Sequence, residues 1–258
     1  MSNTALITGA SSGIGKAFAE IHAGKGNDVI LCARRTDALN ALKVELEKEH
    51  GITAHVFAQD LEKADGARAL YEAVKKAGLE VDILINNAGF GGHGVHIERP
   101  LDDELSMIDL NVKTLVSLTH MFGADMASRG KGRILNVGST AGFMPGPNQA
   151  VYFATKAFVA SFSQAIDQEL RQRGVTCTVL APGYVETEFA TRSNLEGTKL
   201  VSGGGATPRS AAKAGYDAMR AGQLVKVNEM MLGFMVDWVS PLLPRRIVLK
   251  MVEKMQTK

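Results

Sequence analysis

The chain has 258 residues, 22% charged and 45% hydrophobic, with a formal net charge of +2. That length and apolar content exclude a disordered chain and predict a single domain over 1–258 built around one sizeable core. The near-neutral balance leaves no basic surface, so no nucleic-acid partner is expected.

The opening stretch MSNTALITGA lacks a basic segment followed by an apolar one, so it reads as a first strand at 4–8 and a cytoplasmic location is expected. TGASSGIG, residues 8–15, follows directly, with a helical stretch from near Lys16. Gly9 permits a tight turn, Gly13 lets the backbone approach a phosphate, and Gly15 lets the helix pack closely on the sheet. Free N–H groups at such a helix start favour an anion such as a pyrophosphate. The second strand, 28–33, runs through Cys32 into Arg34 and Arg35, and the third, 53–58, leads to Asp60 and Leu61. The fourth, 83–86, opens INNAG at 85–89.

His93 and His96 lie in a glycine-rich loop without further ligands at metal spacing, so no metal is expected. A long helical pattern over 102–129 carries Asn111, and the fifth strand, 133–137, is followed by Ser139. Another helical pattern, 151–173, sets Tyr152 and Lys156 one turn apart on one face. Taken alone, that pair is a tyrosine satisfied by a snorkelling lysine. The sixth strand, 176–181, leads to PG at 182–183, then Val185 and Thr187, and a seventh spans 224–227. Cys32 and Cys177 have no CxxC pattern or neighbouring histidine and read as small core residues. Strands alternating with helical patterns predict an α/β fold: a Rossmann-type doubly wound parallel sheet of about seven strands with helices on both faces. Its ligand should bind outside the carboxyl ends of the strands.

The GxxxGxG spacing, Asn86-Asn87-Ala88-Gly89, Asn111 in LNVKT, Ser139, Tyr152 and Lys156 in order, Asp60 with Leu61, and PG with Thr187 beyond it resemble the short-chain dehydrogenase/reductase family. The resemblance runs from residue 4 to about 187 with every motif in sequence. It implies an enzyme acting on CH–OH donors that interconverts a carbonyl and an alcohol with a nicotinamide cofactor. Tyr152 would be the general acid/base, which typically contributes about 100- to 10,000-fold in rate. A free phenol has a pKa of about 10, and the Lys156 ammonium and an oxidised nicotinamide are expected to lower it. The Ser139 hydroxyl would orient and polarise the substrate oxygen. By resemblance, Lys156 also holds the nicotinamide ribose and Asn111 supports a water relay toward it. The cofactor cradle implied comprises Gly9, Ser11, Ser12, Gly13, Ile14, Gly15, Leu61, Asn87, Val185 and Thr187, with Asp60 near the adenine. Ala33 stands where NAD-preferring relatives usually carry aspartate, and Arg34 next to it suits a 2'-phosphate, so the cofactor is read as NADP (NADPH). Arg35 is read as a solvated basic turn residue.

Residues 184–208, rich in Gly, Ser and Thr, are expected to form a substrate lid by the same resemblance, with Glu186 and Glu188 as solvated loop carboxylates. Phe90, Phe143, Met144, Tyr184 and Phe189 are candidates to line a pocket for a small apolar carbonyl or alcohol. A non-catalytic NADP-binding sensor would keep the glycine loop but has no need of the Ser139, Tyr152 and Lys156 set. A homodimer or homotetramer paired through the helices beginning near Asp102 and Val151 is implied. In the C-terminal extension, 229–258, Asp237, Pro241 and Pro244 interrupt the apolar run, so no transmembrane segment is expected. It reads as a Met-rich helical segment and a second amphipathic helix from near Pro244, with Arg245 and Arg246 in its first turn. This extension is expected to roof the pocket or join subunits.

Overall fold

The computed structural model describes residues 3–235, 238 and 242–258. Asp237 and Pro241 lie outside the described residues. The strands are β1 (Ala5–Thr8), β2 (Val29–Ala33), β3 (Ala54–Ala58), β4 (Ile83–Asn86), β5 (Gly132–Val137), β6 (Val175–Ala181) and β7 (Val225–Val227). They form one parallel sheet in the order β3-β2-β1-β4-β5-β6-β7. All seven expected strands are present, each end within one residue of expectation. The first helices are α1 (Gly13–Ala23), α2 (Thr36–His50), α3 (Gly66–Lys76), α4 (Leu101–Ile108), α5 (Leu115–Ser128) and α6 (Ala150–Leu170). Then come α7 (Phe189–Arg192), α8 (Lys199–Ser202), α9 (Pro208–Arg220), α10 (Met230–Phe234) and α11 (Arg245–Gln256).

Both faces of the sheet are covered, which is why β1 reads as the unbroken buried run ALIT rather than as an alternating one. Successive side chains still point to opposite faces. Leu6 packs with Ile30, Leu70, Val74 and Phe122 on the face covered by α3, α5 and α6. Ile7 packs with Phe18, Leu31, Leu39 and Tyr216 beneath α1, α2 and α9. Cys32 and Cys177 are free and buried in the second of these strands and in β6, as expected of small core residues. The helix ends follow local chemistry. Thr207 caps α9 by accepting from the Ser210 N–H at 3.2 Å, with Pro208 at the first helical position. Gly51, at φ 65°, ends α2 in the left-handed conformation.

The long helical pattern at 102–129 is not one helix. α4 and α5 are joined by a π-helical turn, Asp109–Thr114, which carries Asn111. Apolar periodicity does not reveal one widened turn, because the helix continues in nearly the same direction on either side. The C-terminal pattern is kept: Pro244 precedes α11, and Val248 and Val252 pack in a cluster with Met107, Tyr152 and Phe153. No helix among the described residues is long and apolar enough to cross a membrane. β1 lies between β2 and β4, so the chain leaves the middle of the sheet in opposite directions and a crevice opens at the carboxyl ends of these strands.

Candidate active site

The glycine loop sits at that crevice. Gly9 and Gly13 adopt φ 68° and φ 56°, which side-chain-bearing residues seldom tolerate. A Cβ on Gly15 would stand 2.2 Å from the Gly9 carbonyl oxygen and 2.5 Å from Asn87 Nδ2. The start of α1 is therefore pressed onto β1 and β4, and Ser12 does not cap it with its side chain. Asn87 fixes the loop from behind, its Nδ2 donating to the Thr8 carbonyl at 2.9 Å, while Thr8 Oγ1 accepts from the Asn87 and Ala88 N–H groups at 3.0 Å.

From this loop a cleft of about 540 Å³ runs along the strand ends to the start of α6. At one end, Arg34 donates to Glu62 at 2.9 Å, and Arg192 reaches the same carboxylate oxygen at 3.0 Å. Arg35, expected to be merely solvated, bonds Ser11 Oγ at 3.2 Å and pairs with Glu188 at 3.1 Å. Glu188 also accepts from Ser12 Oγ at 3.3 Å, so it is tied to the glycine loop rather than free in solvent. Asp60 receives the Glu62 N–H at 3.1 Å, which closes the turn after β3.

At the other end stand Ser139, Tyr152 and Lys156. Ser139 Oγ accepts from the Ala141 N–H at 3.1 Å and donates to the Pro182 carbonyl at 3.4 Å. The Tyr152 ring is buried against Phe189, centroids 5.5 Å apart. Lys156 Nζ donates to the Val137 carbonyl at 2.9 Å and lies 5.8 Å from the Tyr152 ring centre. The acidity of the phenol differs from expectation. Burial pushes Tyr152 up to about 12, opposed only by the Ser139 hydrogen bond, and burial brings Lys156 down to about 8. Among the protein's own groups, desolvation sets the direction of both shifts.

Gly9, Ser11, Ser12, Gly13, Ile14, Arg34, Asp60, Leu61, Asn87, Ser139, Tyr152, Lys156, Val185 and Thr187 all border this cleft. Gly15 and Asn111 do not. Gly15 lies beneath the loop, where its role is packing. Asn111 is buried behind the site, accepting from the Phe90 N–H at 3.1 Å while its Nδ2 donates to the Phe90 carbonyl at 2.9 Å and Thr155 Oγ1 at 3.1 Å. Of the apolar candidates, Met144, Tyr184 and Phe189 line the cleft. Phe90 and Phe143 are outside its lining: the Asn111 clamp holds the Phe90 backbone, and the Phe90 ring lies under the Arg192 guanidinium at 4.6 Å. Sequence reading missed Glu62, Arg192, Gln149 and Gln256. Glu62 directly follows Asp60-Leu61 and could have been found there, whereas Gln256 lies far along the chain from Tyr152 with no local pattern to mark it. No group of residues able to hold a metal ion occurs among the described residues.

The family profile described as "short chain dehydrogenase" matches residues 3–197. Human 17-beta-hydroxysteroid dehydrogenase type 3 is 37% identical over 191 residues, 72% of this chain and 60% of that protein. The chain thus spans less than two thirds of the length of that relative. Sulfoacetaldehyde reductase from Chromohalobacter salexigens is 40% identical over 193 residues, 73% of this chain and 75% of its own. Among solved structures, a short-chain dehydrogenase from Sphingobium yanoikuyae in complex with NADPH superposes with a TM-score of 0.85 at 29% identity, covering 93% of this chain and 92% of that one.

Proposed function

The chain belongs to the short-chain dehydrogenase family, and from that premise we propose that it is an NADP(H)-dependent oxidoreductase interconverting an apolar ketone or aldehyde and its alcohol. The observation that carries this reading is the single cleft bordered at one end by the glycine loop and Arg34 and at the other by Ser139, Tyr152 and Lys156. Uncapped N–H groups at the start of α1, beside the left-handed Gly13, suit a pyrophosphate. Arg34 would take the 2'-phosphate by exchanging its half-buried Glu62 partner, and because Arg34 itself is exposed the pair is worth only about 0–1 kcal/mol. Asp60 would receive the adenine amino group, and Asn87, Val185 and Thr187, which border the same cleft, would help to hold the cofactor.

When bound, the nicotinamide supplies or accepts the hydride at the substrate carbon. Tyr152 gives its phenolic proton to the carbonyl oxygen on reduction and recovers one on oxidation. Ser139 holds that oxygen beside the phenol, and Lys156, anchored by the Val137 carbonyl, holds the ribose. Asn111 acts from behind by fixing Phe90 and Thr155. The single domain closes over its substrate with 184–208 as a lid and 229–258 as a roof, for which Leu200, Leu232 and Met255 on the cleft wall give support. Leu101, Leu105 and Phe158 stand exposed on α4 and α6 and suit the surface of a homodimer or homotetramer.

The test is a panel of carbonyls of graded size offered with NADPH or NADH and read by nicotinamide absorbance. NADPH consumption with a bulky apolar ketone, and a clear preference over NADH, is expected. No consumption with any carbonyl overturns the reaction, and equal use of the two coenzymes overturns the role of Arg34.

A further inference from the structure

Beside Tyr152 the cleft is bordered by the apolar Met144, Phe153, Phe189 and Met255 and by two carboxamides. Gln149 and Gln256 meet there, Gln149 Nε2 donating to Gln256 Oε1 at 2.6 Å, and both side chains are almost fully buried at 3% and 1% exposure. Both border the same cleft as Met144, Phe153, Phe189 and Met255.

Several features fix this pair at the cleft wall. Gln149 occupies the N-cap of α6 but makes no side-chain cap bond, although caps are the usual task of that position. The residue before it, Asn148, is held left-handed at φ 64°, its carbonyl accepting from the Gly94 N–H at 2.9 Å. Gln149 lies three residues before Tyr152, and both border the cleft. Gln256 is fixed from the opposite side: His93 Nε2 donates to its backbone carbonyl at 2.7 Å, and Arg99 in turn donates to the His93 carbonyl at 3.1 Å. After these bonds Gln149 Oε1 remains buried without a partner. A buried carboxamide oxygen left unpaired is costly unless a ligand supplies the donor.

Resting on the carbonyl reductase reading above, we infer that Gln149 and Gln256 form a polar subsite for a hydroxyl or N–H group on the substrate, remote from its reacting carbonyl. The substrate is then an apolar carbonyl compound with a second hydrogen-bonding group, not a plain hydrocarbon ketone. Gln149 Oε1 accepts from that group. The subsite discriminates because only a substrate that carries the donor pairs Oε1, which is unpartnered in the free protein.

The test uses methyl ketones of increasing chain length, each with and without a terminal hydroxyl. Binding to the protein saturated with NADP is followed by calorimetry, and turnover with NADPH by absorbance. At one chain length the hydroxylated ketone is expected to bind about tenfold more tightly than its parent, as one neutral hydrogen bond to a buried acceptor allows. In Gln149→Leu and, independently on the other helix, in Gln256→Leu, the ratio of hydroxylated to parent affinity should fall to near one. A general loss of packing would weaken both ketones alike and leave the ratio standing. Absence of any hydroxyl preference in the wild-type protein, or its survival in both variants, overturns the subsite. Because binding is read apart from turnover, a preference that the variants abolish supports the subsite even if no ketone is reduced, an outcome that would count against the reaction alone.

Discussion

At neutral pH the Tyr152 phenol keeps its proton, because burial raises its pKa to about 12. The sign matters for direction. A raised phenol is ready to donate, so ketone reduction should hold its rate through the neutral range. Alcohol oxidation, which needs the phenolate as acceptor, should climb as pH rises. Initial rates in both directions across a pH series check this, and an oxidation rate that falls with rising pH would contradict it. Arg34 invites a second prediction. Glu62 competes for its guanidinium, so Glu62→Gln should tighten NADPH by about two- to fivefold, the worth of an exposed pair, and leave NADH little changed. Fluorescence titration of both coenzymes reads it. At this scale the sequence was informative about residue identity and less so about environment. That Ser139, Tyr152 and Lys156 converge on one cleft was legible from their order and spacing. The direction of the Tyr152 shift was not, because desolvation depends on what Phe153, Phe189 and the C-terminal helix bring from elsewhere. Arg35 and Glu188 were each read as solvated for the same reason: their partnership joins residues 153 positions apart.

Among the elements, the strand-loop-helix unit at the N-terminus is the most tightly determined. Gly15→Ala would ordinarily favour a helix by about 0.5–1 kcal/mol. Here the added Cβ would stand 2.2 Å from the Gly9 carbonyl, a backbone atom that cannot turn aside. The variant should therefore lose thermal stability and bind NADPH at least about tenfold more weakly, as the loop is displaced from Asn87. Melting and titration of the same preparation check both, and an unchanged loop affinity would show that α1 can shift without cost. This unit was legible because its glycines are forced by local geometry. The π-helical turn at Asp109–Thr114 was not, since one additional residue in a turn leaves the pattern of apolar residues on either side intact. Nor was the clamp of Asn111 on Phe90, which belongs to the pairing of two distant segments.

For the whole molecule, the alternation of strands and helices made the parallel sheet legible, and its helices fall on both faces as expected. The ties between layers were not. His22 on α1 is fully buried, bonding Tyr216 of α9 at 2.8 Å and the Asn3 carbonyl at 2.8 Å. Desolvation holds its pKa below the ordinary value, against the opposing Asn3 bond. Below about 6.5 the unfolded chain takes up a proton that the folded one resists, so stability should fall as pH drops through that value. His22→Gln should flatten the loss of melting temperature between about pH 7.5 and about pH 5.5, and equal slopes in both proteins would refute the linkage. Assembly is a property of the same scale. Sedimentation should give a dimer or tetramer, and Phe158→Lys on the exposed face of α6 should weaken it.

The claim on which the rest depends is that one cleft brings a hydride donor and the Tyr152 proton to the same carbonyl. It is tested most directly by following deuterium from NADPH deuterated at both hydrogens of the dihydronicotinamide C4 into an apolar ketone, by mass spectrometry of the alcohol, with wild type and Tyr152→Phe side by side. Label on the carbinol carbon is expected in the wild type, and a rate lower by about 100- to 10,000-fold in the variant with NADPH binding retained. An unlabelled alcohol, or a variant as fast as the wild type, would contradict it.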